Sequence, residues 1–299
     1  MLSLKIFVTG ANGLLGSRIV ELAVERGYDV YSSDISPEVK MGQPVNLDIT
    51  DRDLTISKIR DVQPDVIVHS AALTDVDLCE REKSLAEKVN VEGTKNIVQA
   101  AKTINAYLAY ISTDYVFDGR KGRYTERDET NPINFYGYTK LESERIVTAS
   151  ELEFMIARPS VIYGSKPARG KVNFALWVLD KLRKNEQAAI LVDQYVSPTL
   201  NTNLAQMLLE ACERRLEELL HLSGGTRISR YDFATKLAKV FGFNLNLIKP
   251  AHMSEMTWLA KRPMDSSLDV SKASNILNTK PQKIEQSIKT LKKEVEVVA

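Results

Sequence analysis

Tyr136 and Lys140, four residues apart, are the pair in this chain best suited to proton chemistry. Of its 11 tyrosines, Tyr136 alone is followed by a lysine at that spacing. On a helix, this spacing puts the phenol and the ammonium on one face. A cation beside a phenol stabilises the phenolate and lowers the tyrosine pKa from about 10. The phenol then becomes a usable proton donor near neutral pH. Upstream, the apolar run from Tyr107 to Ile111 delivers Ser112 and Thr113 to the end of a strand. A polar loop closed by Asn131 and Pro132 leads into the helix that carries Tyr136. A surface tyrosine and a solvated lysine would show the same spacing, so the elements that position the pair must decide.

Residues 4–8 form a short apolar run and read as a buried strand. Residues 14–26 follow a helical pattern in which Leu15, Ile19, Leu22 and Ala23 share a face. Between them lie Gly10, Gly13 and Gly16, spaced GxxGxxG. In a strand–turn–helix setting, Gly10 allows the tight turn, Gly13 lets the backbone approach a pyrophosphate, and Gly16 lets the helix pack close to the sheet. The helix N-terminus offers free N–H groups and a positive dipole end to phosphates. Residues 28–33 read as a second strand, and Asp34 stands at its end, 24 residues after Gly10. A carboxylate there accepts hydrogen bonds from an adenosine ribose. It also repels a 2′-phosphate, and no Arg or Lys follows at once. The balance leans toward NADH and leaves NADPH open.

Asp48 either caps the helical stretch 51–62 or faces an adenine; both readings stay open. The strand formed by Val66, Ile67, Val68 and His69 ends in Ser70, Ala71 and Ala72, small residues where backbone passes close to a flat cofactor. A long helix over 84–103 returns to the strand before Thr113. This alternation predicts an α/β fold, a Rossmann-type doubly wound parallel sheet covered on both faces. Ligands in such sheets bind at the carboxyl ends of the strands. Gly10, Asp34, Ala72 and Thr113 all fall at strand ends, so one crevice can hold them, with Tyr136 and Lys140 facing it.

Residues 154–157 read as a further strand. The stretch 165–171 is a polar, basic loop whose cations could meet a nucleotide diphosphate. Asn173, Phe174 and Trp177 open a helix with a face toward substrate or core. Residues 221–225 read as a strand returning to the main sheet, and helical patterns cover 230–241, 253–260 and 283–297. The predicted organisation is a dinucleotide-binding domain over 1–160, with return elements around 197–225. Residues 161–299 form mainly a smaller C-terminal α/β substrate-binding lobe.

The chain is 43% hydrophobic and 26% charged with a formal net charge of +1, an ordinary soluble composition with no electrostatic pull toward nucleic acid or anionic membranes. Cys79 and Cys212 form no CxxC pair, and His69, His221 and His252 are scattered, so no metal site is expected. Two thiols, no signal segment and no membrane-length apolar run point to the cytoplasm. A homodimer is compatible with the sequence.

Five stretches carry a family resemblance: TGANGLLG (9–16), STDYVFDG (112–119), YGYTKLESE (136–144), DQYVSPT (193–199) and RPMDSSLD (262–269). Together they resemble the extended short-chain dehydrogenase/reductases and, more narrowly, the dTDP-4-dehydrorhamnose reductase family. The resemblance implies NAD(P)H-dependent reduction of the C4 ketone of a dTDP-sugar, dTDP-4-dehydro-L-rhamnose. It implies that Thr113, Tyr136 and Lys140 are catalytic, with Tyr136 the general acid. Gly10, Asn12, Gly13, Leu14, Leu15, Asp34, Asp48, Ile49, Ala71, Ala72, Leu73, Thr74 and Ile111, with Tyr136 and Lys140, would line NADPH or NADH. Thr113, Asp114, Tyr136, Val161, Asn173 and Arg262 would meet the substrate.

One departure stands out. Where these reductases commonly carry a Trp in a run like RTSWVYG, this chain reads RPSVIYG, with Val161 in its place. A Trp can stack on a sugar or a base and a Val cannot. The regulatory β subunit of methionine adenosyltransferase, a non-catalytic NADP-binding relative, also resembles this chain and has an aliphatic residue there. Another nucleotide-sugar epimerase or dehydratase is a further alternative. A dehydratase, however, would want an Asp-Glu pair after Thr113, and the residues here are Asp114 and Tyr115.

Overall fold

The computed structural model describes residues 3–167 and 172–298. The chain opens with β1 (Lys5–Thr9), α1 (Gly16–Glu25), β2 (Asp29–Asp34), β3 (Gln43–Asn46), α2 (Arg52–Val62) and β4 (Val66–His69). There follow α3 (Val76–Arg81), α4 (Lys83–Ala86), a π-helical segment (Glu87–Glu92), α5 (Gly93–Ile104), β5 (Tyr107–Ile111), α6 (Phe135–Thr148) and β6 (Phe154–Ala157). With β11 (Leu219–Leu220) these strands make a seven-stranded sheet in the order β11-β6-β5-β4-β1-β2-β3. Every pairing in it is parallel. The strand order reverses between β1 and β4, which opens a crevice at their carboxyl ends.

The apolar runs explain the layers. Successive strand side chains point to opposite faces. Ile6 and Val8 of β1 pack with Val66, Val68 and Ile19 on one side, while Phe7 packs with Ile67, Leu108, Ile59 and Ile97 on the other. The first of these faces is closed by α8 (Asn201–Glu213), through Leu204, Leu208 and Met207. Asp51 starts α2 by accepting a hydrogen bond from the Leu54 amide, and Gln63 ends it in the left-handed region at φ 52°.

Beyond β6 the chain builds β7 (Ser160–Tyr163), α7 (Phe174–Arg183), β8 (Ala188–Leu191), β9 (Tyr195–Val196) and β10 (Pro198–Leu200). After β11 come β12 (Ile228–Ser229), α9 (Arg230–Phe241), β13 (Ile248–Ala251), α10 (Ser271–Ile276) and α11 (Ile284–Val298). Strand pairs β7–β10, β8–β13 and β9–β12 stand outside the main sheet. Phe233, Leu237, Ile288 and Leu291 join α9 to α11 in a second core.

Three elements differ from the sequence expectations. The long helix over 84–103 is interrupted by the π-helical segment Glu87–Glu92, which contains the buried Asn90. The return strand is Leu219–Leu220, just ahead of the stretch 221–225. The helix expected over 253–260 is only a 3-10 turn, Met253–Glu255. The Ala260 N–H, which a helix would turn back to Met256, donates instead to Asp77 at 2.9 Å, while Met253 N–H, at the start, meets Asp193 at 3.0 Å.

Candidate active site

The glycine turn between β1 and α1 is built as the spacing implies. Gly10 has φ +68°, and a Cβ there would come within 2.9 Å of the Ala71 backbone. Gly16 is tighter still: a Cβ would sit 2.1 Å from the Gly10 carbonyl oxygen. Gly13 N–H donates to that same oxygen at 2.9 Å. Asp34 lies beside the turn, its Oδ2 accepting from Asn12 N–H at 3.0 Å and its Oδ1 from Ser36 N–H at 3.2 Å. Asn201, from α8, donates to the Leu14 carbonyl at 2.9 Å. A backbone cradle stripped of side chains, at a helix N-terminus and next to an acid, fits a dinucleotide.

Across the crevice, the loop after β4 is held from both ends. Ser70 Oγ donates to the Thr9 carbonyl at 2.6 Å, and Ala71 N–H to Thr9 Oγ1 at 3.2 Å. Leu73 N–H donates to Asn90 Oδ1 at 2.7 Å, while Asn90 Nδ2 donates to the Leu73 carbonyl and to Thr139 Oγ1. Asn90 thus ties the loop to α6, one residue before Lys140. The sequence reading missed it, since one Asn in a helical pattern carries no local signal. Ala71, Ala72, Leu73 and Thr74 follow this anchored path.

The other cofactor residues divide by exposure. Leu15, Ile49 and Ile111 have side chains in the core, leaving mainly backbone to offer. Asp48 is exposed and accepts from Thr50 N–H at 2.9 Å, while Asp51 caps α2.

Thr113 and Tyr136 meet at the carboxyl end of β5, with Lys140 one turn further along α6. Asn134 caps α6 by accepting from Gly137 N–H at 2.9 Å, which fixes where Tyr136 enters. Gly137 packs so close that a Cβ would lie 2.1 Å from the Tyr115 carbonyl oxygen. Tyr136 is half-buried and hydrogen-bonds Thr113. Burial pushes its phenol above the ordinary tyrosine range; the Thr113 hydrogen bond opposes this, and Asp114, Cys79 and Tyr115 add to it. The lowered pKa expected from a neighbouring ammonium is therefore not what the protein alone provides. Lys140 is itself 3% exposed and pushed down to about 7 by burial, with Glu144 and Cys79 pulling the other way. Its Nζ lies 4.2 Å from the centroid of the Tyr110 ring.

Asp114 is 3% exposed and turned into hydroxyls. Its Oδ2 accepts from Ser160 at 2.7 Å and Ser266 at 2.5 Å, and its Oδ1 from Thr113 at 3.1 Å. Burial raises its pKa against those three hydrogen bonds. Below Thr113, Glu144 accepts from Ser112 and forms a bidentate pair with Arg158, at 2.8 and 2.5 Å, with both side chains at most 5% exposed.

A cavity of about 240 Å³ adjoins this centre, lined by Tyr115, Phe174, Trp177, Gln194, Arg230, Met256, Trp258 and Arg262, among others. Tyr115 joins the two, its ring edge-on to that of Tyr136 with centroids 6.1 Å apart. Arg230 Nε donates to Gln194 at 2.6 Å and its guanidinium lies 5.0 Å from the Phe174 ring. Arg262 reaches the cavity while pairing with Asp77 at 3.0 Å and lying 5.4 Å from the Trp258 ring. Asn173 caps α7, accepting from Leu176 N–H and donating to the Gly164 carbonyl, so its side chain is committed locally. Lys166 of the expected basic loop pairs with Glu21 at 2.6 Å; residues 168–171 of that loop lie outside the described residues.

Val161 has φ +41°, an unusual setting for a β-branched residue. In the β7–β10 register, Ser160 faces Pro198 and Ile162 faces Thr199, so Val161 is the extra residue of a bulge.

A doubly wound parallel sheet, a glycine cradle at its switch point and a Thr–Tyr–Lys group at the next strand end together define an extended short-chain dehydrogenase/reductase. The RmlD substrate binding domain family matches residues 4–297. The chain is 31% identical over 301 residues to dTDP-4-dehydrorhamnose reductase of Aggregatibacter actinomycetemcomitans, covering 96% of this chain and 98% of that protein. It is also 31% identical over 274 residues to methionine adenosyltransferase 2 subunit beta of Bos taurus, covering 90% and 81% respectively. A dTDP-4-dehydrorhamnose reductase from Bacillus anthracis, solved in complex with NADP, superposes with a TM-score of 0.89 at 29% identity, covering 98% of this chain and all of that one. The chain belongs to the RmlD, or dTDP-4-dehydrorhamnose reductase, family of NAD(P)-dependent oxidoreductases.

Proposed function

We propose that this protein reduces the C4 ketone of dTDP-4-dehydro-L-rhamnose to dTDP-L-rhamnose, using NADPH or NADH. The observation that carries the reading is the contact of Tyr115 with Tyr136, which joins the Thr113–Tyr136–Lys140 centre to an aromatic cavity holding two arginines. The turn of Gly10, Gly13 and Gly16 would hold the pyrophosphate, Asp34 the adenosine ribose and Lys140 the nicotinamide ribose. When bound there, the coenzyme would supply the hydride for C4.

The remaining work falls to the chain. Thr113 orients the carbonyl by hydrogen bonding its oxygen. The Tyr136 phenol stays protonated in its buried setting until negative charge develops on that oxygen, which is basic enough to take the proton. The Lys140 ammonium then offsets the phenolate. Phe174, Trp177 and Trp258 offer flat apolar surface to base and sugar, and Arg230 and Arg262 offer charge to the diphosphate. In this reading, residues 161–299 supply most of the substrate contacts. Two buried cysteines, Cys79 and Cys212, suit a cytoplasmic setting, and a homodimer is the assembly to test for.

A second reading is a non-catalytic regulatory subunit. It is favoured by the aliphatic Val161 and by the likeness to the methionine adenosyltransferase β subunit. One experiment separates the two: purified protein, dTDP-4-dehydro-L-rhamnose and NADPH or NADH, followed by loss of reduced-nicotinamide absorbance. Turnover supports the reductase. No turnover, with stable binding to a methionine adenosyltransferase, supports the subunit.

A further inference from the structure

Lys140 is a buried cation, and the carboxylate that acts on it, Glu144, is itself already hydrogen-bonded. Glu144, one turn along α6, gives Oε1 to Ser112 and Arg158 and Oε2 to Arg158. What meets the ammonium directly is the face of Tyr110, 4.2 Å from Nζ to the ring centroid. Tyr110 is fully buried in β5, and its β4 neighbour His69 lies 5.7 Å away ring to ring. His69 is pinned between Thr9 Oγ1 at 2.8 Å and Thr94 Oγ1 at 3.1 Å, so the wall behind the tyrosine is fixed.

We propose that Tyr110 is a positioning residue: its ring face is the seat that holds the Lys140 ammonium charged and one helical turn from Tyr136. The proposal rests on the reading that Lys140 serves the reaction. An aromatic face attracts a cation, most strongly where water is excluded. The titratable groups facing Lys140 are Glu144 on its own helix, Tyr110 on β5, His69 on β4 and Cys79 on α3. Burial drives the lysine toward its neutral form, Glu144 and Cys79 oppose that, and buried His69 stays neutral. The aromatic face adds to the side that keeps the charge. The sequence offers no hint of this role, because Tyr110 sits in an apolar strand and reads as core.

The test is an NMR titration of the full chain carrying 13C-labelled lysine, with the Lys140 signal assigned by its loss in Lys140→Arg. Tyr110→Phe keeps the face and should leave the Lys140 pKa within about 0.3 units of wild type. Tyr110→Leu removes it and should lower that pKa by about 0.5–1.5 units. Should the leucine variant fail to fold, pentafluorophenylalanine at position 110 keeps the ring shape, reverses the charge of its face, and should lower the value likewise. An unchanged value on removing or reversing the face, or a phenylalanine variant as low as leucine, overturns the seat. The NMR value needs no substrate, so a chain that fails to reduce the ketone refutes the proposed function without touching this result. In an active protein, the fall of kcat/KM with rising pH should begin earlier in Tyr110→Leu and not in Tyr110→Phe. A profile that ignores the NMR shift overturns the catalytic purpose of the seat.

Discussion

Ser266 donates a 2.5 Å hydrogen bond to Asp114 across 152 positions of sequence. Asp114 follows the Thr113 of the proposed centre, and Ser266 follows the cavity arginine Arg262 by four residues. With Ser160 and the adjacent Thr113 on the same carboxylate, Asp114 ties two distant stretches of chain to the end of β5 at one point. Its contribution is to hold the cavity wall against the reacting centre.

Asp114→Ala should therefore act on stability and geometry together. It leaves three buried hydroxyls without their acceptor, a loss expected at about 2–5 kcal/mol in urea unfolding. Asp114→Asn keeps an acceptor and should lose less. Equal stability of wild type and Asp114→Ala would show that the junction carries no load.

Tyr136→Phe removes the proposed proton donor while keeping the ring against Tyr115. Turnover should fall by about 10²-fold or more, while coenzyme binding, read by fluorescence titration, stays near wild type. Near-normal turnover would reject Tyr136 as the acid.

Gly16→Ala places a methyl where only 2.1 Å separates it from the Gly10 carbonyl. The turn must shift, at a cost of about 1–3 kcal/mol. Coenzyme affinity should fall with stability, measured by calorimetry and thermal unfolding. Unaltered affinity would mean that the cradle is not where the coenzyme sits.

Lys140 gives a pH prediction with a definite sign. Its folded pKa is about 7, against an ordinary value of 10.5. Below about 7 the lysine is charged in both states, and burial of that charge weighs fully against folding. Between about 7 and 10.5 the unfolded chain binds the extra proton, so this group makes stability rise with pH. Lys140→Met should then stabilise the coenzyme-free protein by a few kcal/mol at pH 6, with the gain fading toward pH 10.5. A pH-independent gain would contradict the depressed pKa.

What the sequence made legible was local. GxxGxxG, Asp34 and the Thr113-to-Lys140 stretch lie within single strand–turn–helix units, where spacing dictates geometry. Arg230, Gln194 and Trp258 were not legible as cavity residues, because only the packing of distant segments brings them together. The stretch 253–260 shows the physical reason: its pattern is helical, but Asp77 takes the Ala260 amide, and Met256 and Trp258 line the cavity from irregular chain. The phenol's pKa also escaped the sequence. Spacing places an ammonium one turn away, but burial raises the phenol's pKa, and the ammonium rests on Tyr110.

The central claim is that Thr113, Tyr136 and Lys140 reduce a ketone held against a nicotinamide. The most direct measurement mixes the protein with dTDP-4-dehydro-L-rhamnose and NADPH or NADH deuterated on the nicotinamide ring, then locates the label by NMR. The account predicts deuterium on C4 of the sugar. A protein that binds the coenzyme yet leaves both the ketone and the label unchanged would contradict it.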